Sequence, residues 1–155
     1  MNETLVGLTV PDFSLPGTGG VFRLGAHHGR AVVLYFYPKD ATPGCSTEAA
    51  QFRDRHGAFA EAGCAVFGIS RDGLKSHDSF RSKLGLPFHL LSDTDELACR
   101  LFNAIKLKKL YGKEVRGIER CTFLIDGNGV VRSEWRSVKA DGHAEAVLSA
   151  IRAWQ

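Results

Sequence analysis

Short apolar runs alternate along the chain with segments of helical spacing, and glycine or proline separates them. Residues 31–37 (AVVLYFY) and 64–70 (CAVFGIS) are rich in β-branched and aromatic residues, which is typical of strands covered on both faces. Residues 121–126 and 130–135 flank Gly127-Asn128-Gly129, a strong hairpin signal. Further strands are predicted at 88–91 and, as an N-terminal hairpin around a Gly-rich turn, at 13–15 and 21–24.

The segments between these strands have apolar positions at helical spacing. The predicted helices span residues 43–62, 74–84, 95–102 and 144–154. Alternation of this kind predicts an α/β fold: a mixed sheet with helices on both faces, in which parallel strands come first and an antiparallel hairpin comes last. This is a thioredoxin-like arrangement with an N-terminal β-hairpin added.

The length and composition fit one domain over residues 1–155. The chain has 155 residues, of which 44% are hydrophobic, and a formal net charge of +3. We expect no nucleic-acid partner, because Lys106, Lys108 and Lys109 fit a solvated face better than a binding surface. The start of the sequence has no leader pattern and no apolar run is long enough for a membrane span, so we expect a cytoplasmic protein without membrane contact.

Four cysteines are present, and one differs from the rest. Cys64, Cys99 and Cys121 occupy positions typical of small buried apolar side chains. No Cys-x-x-Cys or zinc spacing occurs, so we expect no metal. Cys45 instead follows Thr-Pro-Gly where a strand ends and a helix begins.

That placement predicts a reactive thiolate at Cys45. With Thr42 as helix cap and Pro43 in the first helical position, Cys45 lies in the first turn, where unpaired N–H groups and the helix dipole stabilise a negative charge. Gly44 lets the backbone approach a bound oxygen closely, and the Thr42 hydroxyl can hydrogen-bond the thiolate or a peroxide.

A thiolate that attacks a peroxide also needs a cation, because negative charge develops on the leaving oxygen. Arg120, just before the strand at 121–126, is the first candidate, and Arg53 and Arg55 are second choices. Glu48, one turn beyond Cys45, could orient such an arginine. The plainer interpretation of Arg120 is a surface ion pair with a nearby glutamate.

At these residues the chain resembles the peroxiredoxins, specifically the bacterioferritin-comigratory-protein or PrxQ branch. The Pro-x-x-x-Thr-x-x-Cys signature is met by Pro38, Thr42 and Cys45, and Arg120 follows in register. The resemblance spans nearly the whole chain. It implies reduction of hydrogen peroxide or organic hydroperoxides through a Cys45 sulfenic acid, with Thr42 and Arg120 as activating partners and Pro38 as a shield. It implies no cofactor, and it favours a monomer.

The sequence departs from that branch at the resolving cysteine, the thiol that captures the sulfenic acid. Members carry it five residues after the first cysteine, where this chain has Ala50, or on the next helix, where residues 74–84 contain none. Three accounts stay open. An external thiol such as thioredoxin, glutaredoxin or glutathione reduces Cys45; Cys99 or Cys64 resolves it after local unfolding; or two chains pair.

Two other functions fit parts of the pattern. A thiol-disulfide oxidoreductase would share the fold but needs a second cysteine near the first. A redox sensor would oxidise Cys45 without turnover.

Overall fold

The structure, a computed structural model, describes residues 4–153. In chain order its elements are β1 (Ser14–Leu15), β2 (Phe22–Arg23), a 3-10 helix (Leu24–His27), β3 (Ala31–Phe36), α1 (Pro43–Asp54), α2 (His56–Glu61), β4 (Cys64–Ser70), α3 (Leu74–Leu84), β5 (His89–Ser92), α4 (Leu97–Leu101), β6 (Ile105–Leu110), β7 (Lys113–Ile118), β8 (Cys121–Ile125), β9 (Val131–Trp135) and α5 (His143–Ala153).

Strand β3 lies at the centre of a five-stranded sheet with the order β5-β4-β3-β8-β9. It pairs in parallel with β4 and antiparallel with β8, and β4 pairs in parallel with β5. Strands β8 and β9 form the closing antiparallel hairpin. The thioredoxin-like mixed sheet and the N-terminal hairpin of β1 and β2 are therefore confirmed.

The side chains of β3 alternate between two apolar clusters, one on each face of the sheet. Val33 and Tyr35 belong to the cluster formed with α1, α2, α3 and α5. Val32, Leu34 and Phe36 belong to the cluster formed with the N-terminal hairpin and α4. All six residues of β3 are buried, which explains its unbroken apolar sequence.

The structure corrects two expectations. The helix expected over 43–62 is divided at Arg55, whose backbone (φ −108°, ψ 5°) leaves the helical region. Strands β6 and β7, which within residues 4–153 pair only with each other, were not predicted. The alternation of apolar and lysine residues in β6 does not mark a buried face, because Leu107 is 66% exposed.

Among residues 4–153, no helix has both the length and the apolar character needed to cross a membrane.

Candidate active site

Cys45 lies at the start of α1, directly after the central strand. Thr42 occupies the N-cap position, and Pro43 opens the helix. The cap is incomplete, however: the Thr42 hydroxyl donates to the Lys39 carbonyl at 3.0 Å and accepts no hydrogen bond from the first turn. The first-turn N–H groups therefore stay available to Cys45 and to whatever binds beside it.

Arg120 connects Cys45 to Glu48. Its Nη2 lies 3.5 Å from Cys45 Sγ and its Nη1 donates to Glu48 Oε1 at 2.7 Å. The segment between β7 and β8 carries Arg120, and the guanidinium spans both partners at once. The structure thus brings together three predicted site residues, and Arg120 pairs with neither Glu114 nor Glu119.

Glu48 is a buried carboxyl group with one unsatisfied oxygen. It is 0% exposed, and its Oε2 has no hydrogen-bond partner among the described residues. Burial raises the pKa of Glu48 to about 7, although the Arg120 guanidinium opposes the shift. The carboxylate therefore depends on Arg120 for its charge, and it fixes the guanidinium in return.

Gly44 makes room for that guanidinium. A Cβ atom at Gly44 would lie 3.1 Å from Arg120 Nη2, closer than a side chain ordinarily approaches. Pro38, Arg120 and Lys108 line a hollow of about 290 Å³ next to the site. Gly44 thus leaves space for the guanidinium, and Pro38 forms part of the wall of the hollow.

The two second-choice arginines point elsewhere. Arg53 contacts Asp54 and the Leu84 carbonyl, and Arg55 contacts Glu145. Neither guanidinium hydrogen-bonds to Cys45.

The other cysteines lie away from Cys45 in this conformation. Cys64 pairs with Ala31 at the opposite end of β3, five residues or about 16 Å along the strand from Phe36. Cys99 and Cys121 belong to the apolar cluster on the other face of the sheet. A disulfide between either predicted resolver and Cys45 would need substantial movement.

Burial also makes these three thiols poor nucleophiles. It raises the pKa of Cys64 and of Cys121 to about 12, and burial together with the Asp93 carboxylate raises the pKa of Cys99 further. In this conformation of residues 4–153, a reaction of any of these thiols with Cys45 would require movement of the surrounding elements.

A second polar cluster lies beyond the turn that carries Thr42, and sequence reasoning missed it. Asp40 and His77 form a buried pair with a separation of 2.7 Å between Oδ2 and Nδ1. A polar residue spaced among apolar ones on a helix was the only available signal, and a lone histidine is weak evidence for a site.

The comparisons with known proteins point in one direction. The AhpC/TSA family matches residues 6–134. Peroxiredoxin Bcp of Xanthomonas campestris is 48% identical over 156 residues, covering 99% of this chain and 98% of the relative. Peroxiredoxin Bcp of Bacillus subtilis is 45% identical, covering 95% and 94%.

Solved structures agree. Peroxiredoxin Q of Xanthomonas campestris superposes with a TM-score of 0.88 at 51% identity, covering 91% of this chain and 90% of that one. A second structure, described as a study of the alkyl peroxide reduction activity of the Xanthomonas campestris bacterioferritin comigratory protein, has a TM-score of 0.88 at 50% identity, covering 92% and 91%.

Proposed function

The chain belongs to the AhpC/TSA family and, within it, to the Bcp or PrxQ peroxiredoxins, which are thiol-dependent peroxidases, and we propose that Cys45 is the residue through which it reduces peroxides. The contact of Arg120 with both Cys45 and Glu48 carries this proposal, because it places a fixed cation 3.5 Å from the sulfur of a helix-start cysteine. Thr42, Pro38 and Gly44 support the same site.

In the first half-reaction, the Cys45 thiolate attacks the terminal oxygen of a hydroperoxide. An S–O bond forms as the O–O bond breaks, and the electron pair of that bond leaves on the alkoxide or hydroxide, which takes up a proton. Cys45 becomes a sulfenic acid, and the peroxide becomes an alcohol or water. The Arg120 guanidinium stabilises the charge that develops on the oxygens.

The Thr42 hydroxyl has a defined part in this step. Because it donates its proton to the Lys39 carbonyl, its lone pairs are left to accept a hydrogen bond. We assign it to receive the O–H of the incoming peroxide, which orients the reacting oxygen toward sulfur.

In the second half-reaction, an external thiol attacks the sulfenic sulfur, which forms a mixed disulfide with Cys45 and releases water. A second thiol then attacks the external sulfur of that disulfide, so that an external disulfide forms and Cys45 leaves as the thiolate. The positions of Cys64, at the far end of β3, and of Cys99, on the other face of the sheet, support this route over internal resolution. Because Cys45 is itself only 1% exposed, the start of α1 must open for an external thiol to reach it. Thioredoxin, glutaredoxin and glutathione are the candidate reductants. We propose that the chain works as a monomer; its cytoplasmic location stays a prediction.

Thiol mapping by mass spectrometry tests this scheme. The reduced protein receives one equivalent of hydrogen peroxide, sulfenic acid and free thiols are trapped separately, and the digest is analysed without reductant. We expect a sulfenic acid at Cys45 and free thiols at the other three cysteines. A crosslink from Cys45 to Cys64 or Cys99 would establish internal resolution instead.

Turnover separates the peroxidase from a sensor. With peroxide and a thiol reductant in excess, the wild-type protein should consume many equivalents, and Cys45→Ser should consume none. Consumption that stops near one equivalent would support the sensor, and activity retained in Cys45→Ser would overturn the assignment of Cys45.

A further inference from the structure

The buried pair of Asp40 and His77 ties α3 to the turn before α1. Asp40 Oδ2 accepts from His77 Nδ1 at 2.7 Å and from the Ser76 hydroxyl at 2.8 Å, while Asp40 Oδ1 accepts from the Tyr37 hydroxyl at 2.6 Å. The His77 side chain is 0% exposed and that of Asp40 is 3% exposed. The carboxyl group therefore has hydrogen-bond donors on both oxygens and almost no water.

The hydrogen bonds determine where the protons lie. The other ring nitrogen of His77, Nε2, is 2.9 Å from the Leu91 carbonyl, which can only accept, so Nε2 carries a proton. Although burial opposes it, hydrogen bonds from His77 and Tyr37 hold the pKa of Asp40 below its usual value. With Asp40 ionised, both of its oxygens act as acceptors, and the His77 ring bridges Asp40 Oδ2 and the Leu91 carbonyl.

This buried pair holds a turn that its own backbone disfavours. Ala41 has φ 63°, in the left-handed region that a residue with a Cβ rarely adopts. The Asp40 side chain fastens the turn to α3, and the Asp40 backbone N–H donates to Asp72 Oδ2 at 2.9 Å. Thr42 is the next residue after Ala41, so its position depends on this anchor.

Polar groups from several elements face the pair. Tyr37 precedes the turn, Asp72 follows β4, and the Leu91 carbonyl belongs to β5. Asp72 is itself held by the Ser70 hydroxyl at 2.6 Å. Although Asp40, Asp72 and His77 place ligand atoms within 4.8 Å of one another, hydrogen bonds inside the network already engage these atoms.

We propose that His77 is a positioning residue for peroxide reduction: held between Asp40 and the Leu91 carbonyl, it fixes Asp40, and through Asp40 the turn that sets Thr42 beside Cys45. The inference rests on the proposed role of Cys45. A purely structural role of His77 would affect every reaction of the Cys45 thiolate. The proposed role affects the peroxide reaction specifically, because only that reaction needs Thr42 in place.

Two variants of His77 separate the positioning role from a purely structural one. Each variant keeps one of the two hydrogen bonds that the His77 ring makes, either to Asp40 or to the Leu91 carbonyl. In His77→Asn the amide nitrogen takes the place of Nδ1 and still donates to Asp40, whereas in His77→Gln it takes the place of Nε2 and donates to the Leu91 carbonyl only. Asp78→Asn, on the exposed neighbouring residue, controls for surface charge on α3.

For each protein we would measure the rate constant of Cys45 with hydrogen peroxide and with iodoacetamide, together with thermal stability. Iodoacetamide needs the thiolate but not Thr42. We expect the peroxide-to-iodoacetamide ratio to fall about tenfold or more in His77→Gln, because small displacements of a positioning group cost rate steeply. The ratio should recover substantially in His77→Asn, and Asp78→Asn should match the wild type.

An unchanged ratio in His77→Gln, or equal losses in both His77 variants that follow their stability, would overturn the proposal. A peroxide reaction that survives Cys45→Ser would instead defeat the proposed function.

Discussion

Replacing Arg120 with methionine removes the cation but keeps much of the side-chain volume, and its first effect should be on stability. Arg120 is 16% exposed and its partner Glu48 is 0% exposed, so the variant leaves a carboxylate buried without a counterion. Breaking a buried pair costs about 3–5 kcal/mol when the remaining group stays charged.

The pKa of Glu48 sets the pH dependence of that loss. Because burial raises this pKa to about 7 in the wild type, Glu48 is mostly ionised near pH 8 and mostly protonated near pH 5.5. We expect Arg120→Met to lower the free energy of unfolding by about 3 kcal/mol near pH 8, which corresponds to roughly 6–12 °C in Tm. Near pH 5.5 only a hydrogen bond is lost, and the cost should be about 1 kcal/mol.

A double variant separates stability from catalysis. In Arg120→Met with Glu48→Gln, the buried charge is gone, so stability near pH 8 should return to within about 1 kcal/mol of that of Glu48→Gln alone. The rate constant with peroxide should stay about a hundredfold or more below wild type, because the cation beside sulfur is still missing.

Denaturant unfolding at the two pH values and stopped-flow peroxide kinetics measure these effects. Arg23→Met is a matched control, because it breaks an exposed ion pair with Asp12 and should change the free energy of unfolding little. Recovery of the peroxide rate in the double variant would refute the reasoning, since Arg120 would then act only by holding Glu48.

Three further predictions concern neighbours of this site. Gly44→Ala should slow the peroxide step severalfold with little change in stability, because its methyl group displaces the flexible Arg120 end; stopped-flow kinetics measures this. Because the pKa of Glu48 is raised in the folded state, its contribution to stability is present below pH about 4.5 and is lost as the pH rises through about 7. In urea titrations, Glu48→Gln should lack this decline in the free energy of unfolding. Burial, assisted by Arg120, lowers the pKa of His143 to about 4. The neutral ring therefore contributes stability above pH about 6.5, and this contribution is lost as the pH falls through about 4. His143→Gln, which can still contact Thr122, should abolish that loss in the same titrations.

The core of the fold could be predicted because its sequence signals are local. The apolar run of β3 follows from burial on both faces, and the Thr-Pro-Gly sequence before Cys45 follows from the needs of a helix start. The ends of β4 and α3 agree with the sequence pattern residue for residue. In these elements the local sequence preference agrees with the structure that forms, so a short stretch of sequence is sufficient to predict each of them.

The missed features depend on contacts between distant segments. Strands β6 and β7 are stabilised by pairing with each other, and most of their described side chains are exposed, so their apolar positions do not line one buried face. The pairing of Asp40 with His77 joins residues 37 positions apart. Arg120 could be nominated by its place before β8, but its second partner, Glu48, depends on how α1 packs against the sheet.

The scattering of the four sulfur atoms has a practical consequence for detecting oxidation. Because Cys64 lies at the far end of β3 and Cys99 and Cys121 lie across the sheet from Cys45, oxidation at Cys45 closes no covalent loop in this conformation. The denatured chain would then migrate identically on a non-reducing gel before and after exposure to peroxide. The oxidation state of this protein would be detected through the mass or the reactivity of the Cys45 side chain alone.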